Sequence, residues 1–309
     1  MKHVGWLAFI MVASMSTADA HGAPRQPYEG AWWSAWNFHQ PVVLVNLGIV
    51  SLVYAVGVFR LWRRVGWGKP ISFRQAALFA AGMGVLLLAL LSPVDVFSDE
   101  LAWMHMVQHM LLMGVGAPLL VLGAPLLVSL WALPLSLRRV YGRTKRWLER
   151  WKPTRYLLWQ PLLMWSLFGL TLWLWHLPAL YEATLYDDLL HDFQHFTFVA
   201  ASCLFWRVLL DPVSRFRLSR GIAIIYLFVT SLHATLLGVF MTLAPKAWYP
   251  FYESRAPRWK LSAVEDQQIA GLIMWMPACM VYALVAAILL ACWLRADEVA
   301  NRESVLGEQ

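Results

Sequence analysis

The chain has 309 residues, of which 60% are hydrophobic and 14% charged. A soluble domain carries about 25% charged residues, so this composition excludes an ordinary soluble globule and points to an all-α polytopic membrane bundle. The net charge of +7 does not indicate nucleic acid, because the basic residues sit in loops between apolar runs, which is the pattern of membrane topology.

Taken in chain order, residues 1–20 read as a signal peptide. Lys2 precedes an apolar stretch from Val4 to Ala13, and Ala18-Asp19-Ala20 forms a small-residue cleavage pattern. The mature chain would begin at His21 on the outer side, where a free amine and an imidazole meet on one residue and can chelate Cu(II). Residues 21–38 form a short extracytoplasmic segment. Residues 39–294 hold seven predicted transmembrane helices, near 39–61, 74–92, 101–122, 157–177, 189–210, 220–243 and 267–294, each of about the 20 apolar residues a bilayer requires. Residues 295–309 are a cytoplasmic tail.

Charge tests this threading. With the mature N-terminus outside, the first inner loop carries Arg60, Arg63, Arg64, Lys69 and Arg74. The second carries the basic run from Arg138 to Arg155, and the third Arg207, Arg215, Arg217 and Arg220. Asp95, Asp99, Glu100, Glu182, Asp187 and Asp188 fall outside, and 19 of the 25 Lys and Arg fall inside against six outside or in the signal, as the positive-inside rule requires. The apolar run 101–133 is too long for one span and contains Pro118 and Pro125; it reads as a kinked helix followed by an interfacial segment. Trp32, Trp33, Trp36, Trp173, Trp175, Trp248, Tyr249, Phe251, Tyr252 and Trp259 read as interfacial belts. Cys203, Cys279 and Cys292 lie in apolar runs without paired spacing, and read as small buried hydrophobes.

The histidines concentrate at one membrane face. MHMVQH places His105 and His109 one helical turn apart at the outer start of span three, and HDFQH does the same for His191 and His195 in span five. That spacing sets both rings of a pair on one helix face, about 6 Å apart along the axis, where two imidazoles can share a metal. His176 ends span four on the same side. His39 opens span one and reads as a hydrogen-bonded interfacial residue, and His233 lies deeper, near the middle of span six. Met113 extends the first stripe, whereas Met106 and Met110 read as packing. Imidazole with thioether suits copper, and thioether favours Cu(I). Neutral imidazole is the ligand, so copper affinity is expected to fall below about pH 6.5. Asp266 and Gln267 start the last span at the same level, and Met274 lies two turns on from Asp266. Together with Met113 and His233 they are possible metal ligands or partners that hold the imidazoles in place, with N-capping the plainer role for Asp266.

Four stretches together resemble the cytochrome c oxidase assembly factor CtaG family of the caa type: HMVQHMLLMGVGAPLLVLGAP at 105–125, LWLWHLPALYEATL at 172–185, LHDFQHFTFVAASCLFW at 190–206 and DQQIAGLIMWMP at 266–277. The likeness runs from about residue 36 to 294. It implies a bacterial inner-membrane protein of seven or so spans that supports assembly of a haem–copper oxidase. Its expected partners are oxidase subunits, periplasmic copper chaperones and the bilayer. Copper is the expected cofactor, and His105, His109, His176, His191, His195 and Asp266 are the positions carried over. The single-span copper chaperone of the same name depends on a cysteine pair that this sequence lacks. A non-enzymatic copper-handling assembly factor is therefore the leading expectation. A haem-binding electron carrier, a membrane di-metal oxygenase drawing on Asp187, Asp188 and Asp192, and a copper transporter are the alternatives.

Overall fold

In the computed structural model the sequence folds into helices throughout, and residues 28–38, 40–150, 161–213 and 217–307 are described. The predicted signal peptide, His21, His39 and part of the basic loop before span four lie outside those residues. Helix α1 (Pro41–Val65) starts on a proline, whose missing N–H costs nothing in a first turn. Helix α2 (Phe73–Leu91) opens with a reciprocal Ser72–Gln75 capping box. The short α3 (Pro93–Ser98) then leads into the third apolar run.

That third run is the centre of the bundle. It comprises α4 (Ala102–Met110), a π-helical segment (Leu111–Gly116) and α5 (Ala117–Leu122). The proline at 118 has no N–H for the Gly114 carbonyl, so the regular ladder cannot run through this stretch, and the wider π turn takes up the mismatch. Across this span 61% of the apolar window is buried, against 17% for the last span, which makes it the helix the others surround. The chain then turns through Ala124, in the left-handed region at φ 51°, into α6 (Pro125–Ala132). Helix α6 packs on α1 where Gly57 leaves room for the Val128 backbone. The span is interrupted by the π segment, and the short helix expected after it is present.

The basic stretch read as a loop forms helix α7 (Leu135–Arg150). Leu137, Val140, Tyr141 and Trp147 recur at helical spacing between the charges, so the segment is amphipathic rather than merely polar. Helix α8 (Pro161–Trp175) is followed after a 72° bend by α9 (Pro178–Tyr186). Pro178 enforces that break by disfavouring helical backbone at Leu177. Helices α10 (Asp188–Leu210) and α11 (Arg220–Leu243) follow, then α12 (Ala263–Gly307), which extends well past the predicted seventh span. Helices α11 and α12 approach closely where glycine meets glycine: a Cβ on Gly271 would stand 2.6 Å from the Gly238 carbonyl oxygen.

Among the described residues, six helices are long and apolar enough to cross a membrane, and seven if the bent pair α8–α9 counts as one. This all-α architecture fits a multi-pass membrane protein. Leu52, Phe59, Leu88, Ile225, Phe228, Leu232 and Leu284 are exposed on the outside of the bundle, as lipid contact requires. Cys203 and Cys279 are half-buried and Cys292 is exposed, so the expectation of three buried thiols does not hold for Cys292, which sits among the exposed apolar residues of α12.

Candidate metal centre

The site begins with how the histidine helix is held. The first amides of a helix have no intrahelical acceptor. At the start of α4, the amides of Ala102 and Trp103 donate to the Asp266 carboxylate at 2.8 and 3.1 Å. Asp266, fully buried, thus pins α4 to α12 through two charge-assisted bonds. It neither holds an imidazole nor caps its own helix, where Ser262 and Glu265 form the reciprocal cap. Helix α10 starts on Asp187, whose carboxylate accepts from the Leu190 amide at 3.0 Å.

On these two helix starts the paired histidines meet. The ring centroids of His105 and His109 lie 4.4 Å apart, and those of His191 and His195 4.3 Å apart. Across the helices, His105 is 5.3 Å from His191 and His109 is 5.7 Å from His195. His176, at the α8–α9 break, lies 6.0 Å from His109. All five are buried, none more than 6% exposed. Ligand nitrogens of His105, His109 and His195 fall within 4.8 Å of one another. An ion about 2 Å from each nitrogen needs only small ring rotations to draw them in.

The tautomer of His176 follows from its partner. Nδ1 sits 2.7 Å from the Leu172 carbonyl oxygen, which can only accept, so Nδ1 carries the proton. The Nε2 lone pair then faces Met106 Sδ at 3.4 Å. Both ring nitrogens of His109 are buried without a hydrogen-bond partner among the described residues. A buried polar atom in that state asks for an explanation, and a metal is one.

Other candidates lie elsewhere. His233 packs against Trp165 and Phe168, at 5.2 and 6.3 Å, apart from the five. Gln267 accepts from the Trp248 amide and donates to the Met241 carbonyl, so it ties down the loop before α12 rather than an imidazole. Met113 and Met274 line a cavity of about 30 Å³ adjoining His109 and His176.

Sequence reading missed two sets of residues. Gln108 and Gln194 are fully buried within the histidine pairs. Gln108 donates to the Asp95 carboxylate and the Ala89 carbonyl, both at 2.9 Å. The repeated H-x-x-Q-H pattern was the signal for both glutamines. The second set is a plug of tyrosines. Tyr181 stands 4.9 Å from His105 and stacks on Tyr249 at 3.9 Å. Its hydroxyl is 3.2 Å from that of Tyr252, which donates to the Ser98 carbonyl. Tyr249 donates to the His176 carbonyl at 3.0 Å. Burial pushes the Tyr249 and Tyr252 phenols above their ordinary range, so both remain neutral donors. These two are therefore not interfacial belt residues. The same correction applies to Trp175, which is buried and donates to Thr197 at 2.8 Å.

The segment carrying this plug is latched. Arg255 bonds Glu100 at 3.2 Å and the Asp99 carbonyl at 3.1 Å, and lies over the Phe251 ring. Arg258 reaches the other oxygen of Glu100 at 3.4 Å.

A family model described as cytochrome c oxidase caa3 assembly factor matches residues 52–296. Among curated proteins, the uncharacterized proteins Mb0105 of Mycobacterium bovis and MT0111 of Mycobacterium tuberculosis are each 27% identical over 286 residues. The uncharacterized protein ML1998 of Mycobacterium leprae is 26% identical over 287 residues. The matches cover 91% of this chain but 42–43% of those relatives, so the chain spans less than half of their length. No solved structure matches.

Proposed function

From the premise that this chain belongs to the cytochrome c oxidase caa3 assembly factor family, we propose that it is a non-enzymatic factor that takes up Cu(I) at its histidine cluster on behalf of a haem–copper oxidase. The observation that carries this reading is the convergence of buried His105, His109 and His195 ligand atoms, with His176 and His191 beside them. Copper is the cargo. Neutral imidazoles supply lone pairs without charge, and the adjoining thioethers favour Cu(I) over harder ions. Oxidase subunits and a periplasmic copper donor are the partners this role requires.

Two observations weigh against the alternatives. The imidazoles pack ring against ring, His105 being 4.4 Å from His109 and 5.3 Å from His191, an arrangement that suits a single ion better than a flat macrocycle clamped between two helices. The convergent ligand group contains three histidines and no carboxylate, while Asp187 and Asp266 accept backbone amides, which disfavours a carboxylate-bridged di-metal oxygenase.

The test is copper retention. Full-length protein in detergent is loaded with Cu(I) under reducing conditions, desalted and assayed for metal. Wild type is expected to keep copper, His105→Ala/His109→Ala to lose it, and His233→Ala to keep it as the folding control. Protons compete for the same lone pairs, so retention is expected to weaken as the sample is acidified. Wild type that retains no copper would sink the copper reading and leave a scaffold that holds oxidase subunits.

A further inference from the structure

The cavity of about 30 Å³ beside the cluster is lined by four methionines, Met106, Met110, Met113 and Met274, with His109 and His176. The rest of its wall is hydrocarbon apart from Tyr282. Methionine is flexible and ordinarily fills irregular gaps in a core. Four of them around a space left open is the reverse of that use. Gly114 contributes to the arrangement, since a Cβ there would stand 3.0 Å from the Met110 methyl.

The donor set is selective. Thioethers are soft and carry neither charge nor proton, so an apolar pocket walled by them suits a soft monovalent ion and offers little to Zn(II) or Mg(II). Two imidazoles reach it. The unprotonated Nε2 of His176 lies 3.4 Å from Met106 Sδ. His109 belongs both to the convergent histidine group and to the cavity wall, so the single lone pair of its neutral ring can serve either position in turn.

We propose that this cavity is a second Cu(I) position, ligated by the thioethers with His109 and His176 at its mouth, and that copper passes between the two positions by way of His109. The inference rests on the reading that the histidine cluster takes up copper. The step is ligand exchange: a Cu–N bond to His105 or His195 breaks as a Cu–S bond forms. Copper stays Cu(I), and no proton or external electron is needed, because neutral imidazole and thioether both bind through lone pairs.

The experiment is copper K-edge X-ray absorption on full-length protein in detergent, saturated with Cu(I) without oxygen and desalted, with metal counted on the same samples. The comparison is M106L/M110L/M113L/M274L, whose exchanges conserve volume and are tolerated best in packed interiors. Wild type is expected to show sulfur as well as nitrogen neighbours. The leucine variant is expected to lose the sulfur neighbours and about one copper per chain, while keeping nitrogen-bound copper. Copper bound by nitrogen alone in saturated wild type would overturn the second position and leave the histidine reading standing. Wild type without copper would remove both. The wild-type spectrum decides even where the fourfold variant does not fold.

Discussion

Asp266 shows what a single side chain does here. Its carboxylate serves the Ala102 and Trp103 amides, and those amides open the helix on which His105 and His109 ride. Asp266→Ala would leave two buried donors unpaired, at roughly 1–3 kcal/mol per group. Its expected effects are a lowered melting temperature in detergent and weaker copper retention. Asp266→Asn keeps one carbonyl acceptor and is expected to fall between the two. Equal copper retention in all three proteins would show that α4 holds its register without this contact. At this scale much was legible. Five histidines could be assigned to one end of the bundle because the i, i+4 spacing fixes a helix face and charge fixes depth. The role of Asp266 was not legible, because its partners lie 163 and 164 residues away and no local pattern reports them.

At the scale of elements, the third span and the loop before α12 carry the design. The π segment begins two residues after His109 and separates the buried histidine turns of α4 from the hydrocarbon of α5. Pro118 announced a break in the sequence, but its form depends on how the flanking turns pack. The loop is the more instructive case. Its aromatic residues look like a membrane belt, yet Tyr249 and Tyr252 are 1% exposed and close the histidines from one side. The Glu100–Arg255 pair that latches it is buried on both members. Removing one partner of a buried pair costs roughly 3–5 kcal/mol. Glu100→Gln, which keeps the size but not the charge, is therefore expected to lower the melting temperature and to speed copper release to a competing chelator. Unchanged release with lowered stability would make the loop a structural cover with no part in metal access.

For the whole molecule, the chain path makes a statement about sidedness. Helix α8 starts where Pro161 meets Tyr226, near the beginning of α11, and ends at His176. The bent pair α8–α9 thus starts beside the first half of α11 and bends by 72° at the histidine end. Seven crossings with the basic α7 in the cytoplasm put Arg150 and Lys260 on opposite sides of the membrane. Six crossings, with α8–α9 re-entrant, put them on the same side. Alkaline phosphatase fused after Lys260 is expected to be active, and the same fusion after Arg150 inactive. Activity in both or in neither would make the bent pair re-entrant.

Apolar content, run length and the placement of arginine determined an all-α membrane bundle, since a chain in lipid must satisfy its backbone locally and leave its charges at the ends. Spacing determined which histidines share a face, since helical periodicity is a property of the local chain. Tertiary packing alone decided that the faces of α4 and α10 meet and that His176 joins them while His233 does not. It also decided that three tyrosines seal the cluster and four methionines surround an open space beside it. Those outcomes depend on how helices distant in sequence are rotated against one another, and rotation is set by the sum of many contacts, among them Gly57 against Val128 and Gly238 against Gly271. No single stretch of the chain encodes that sum.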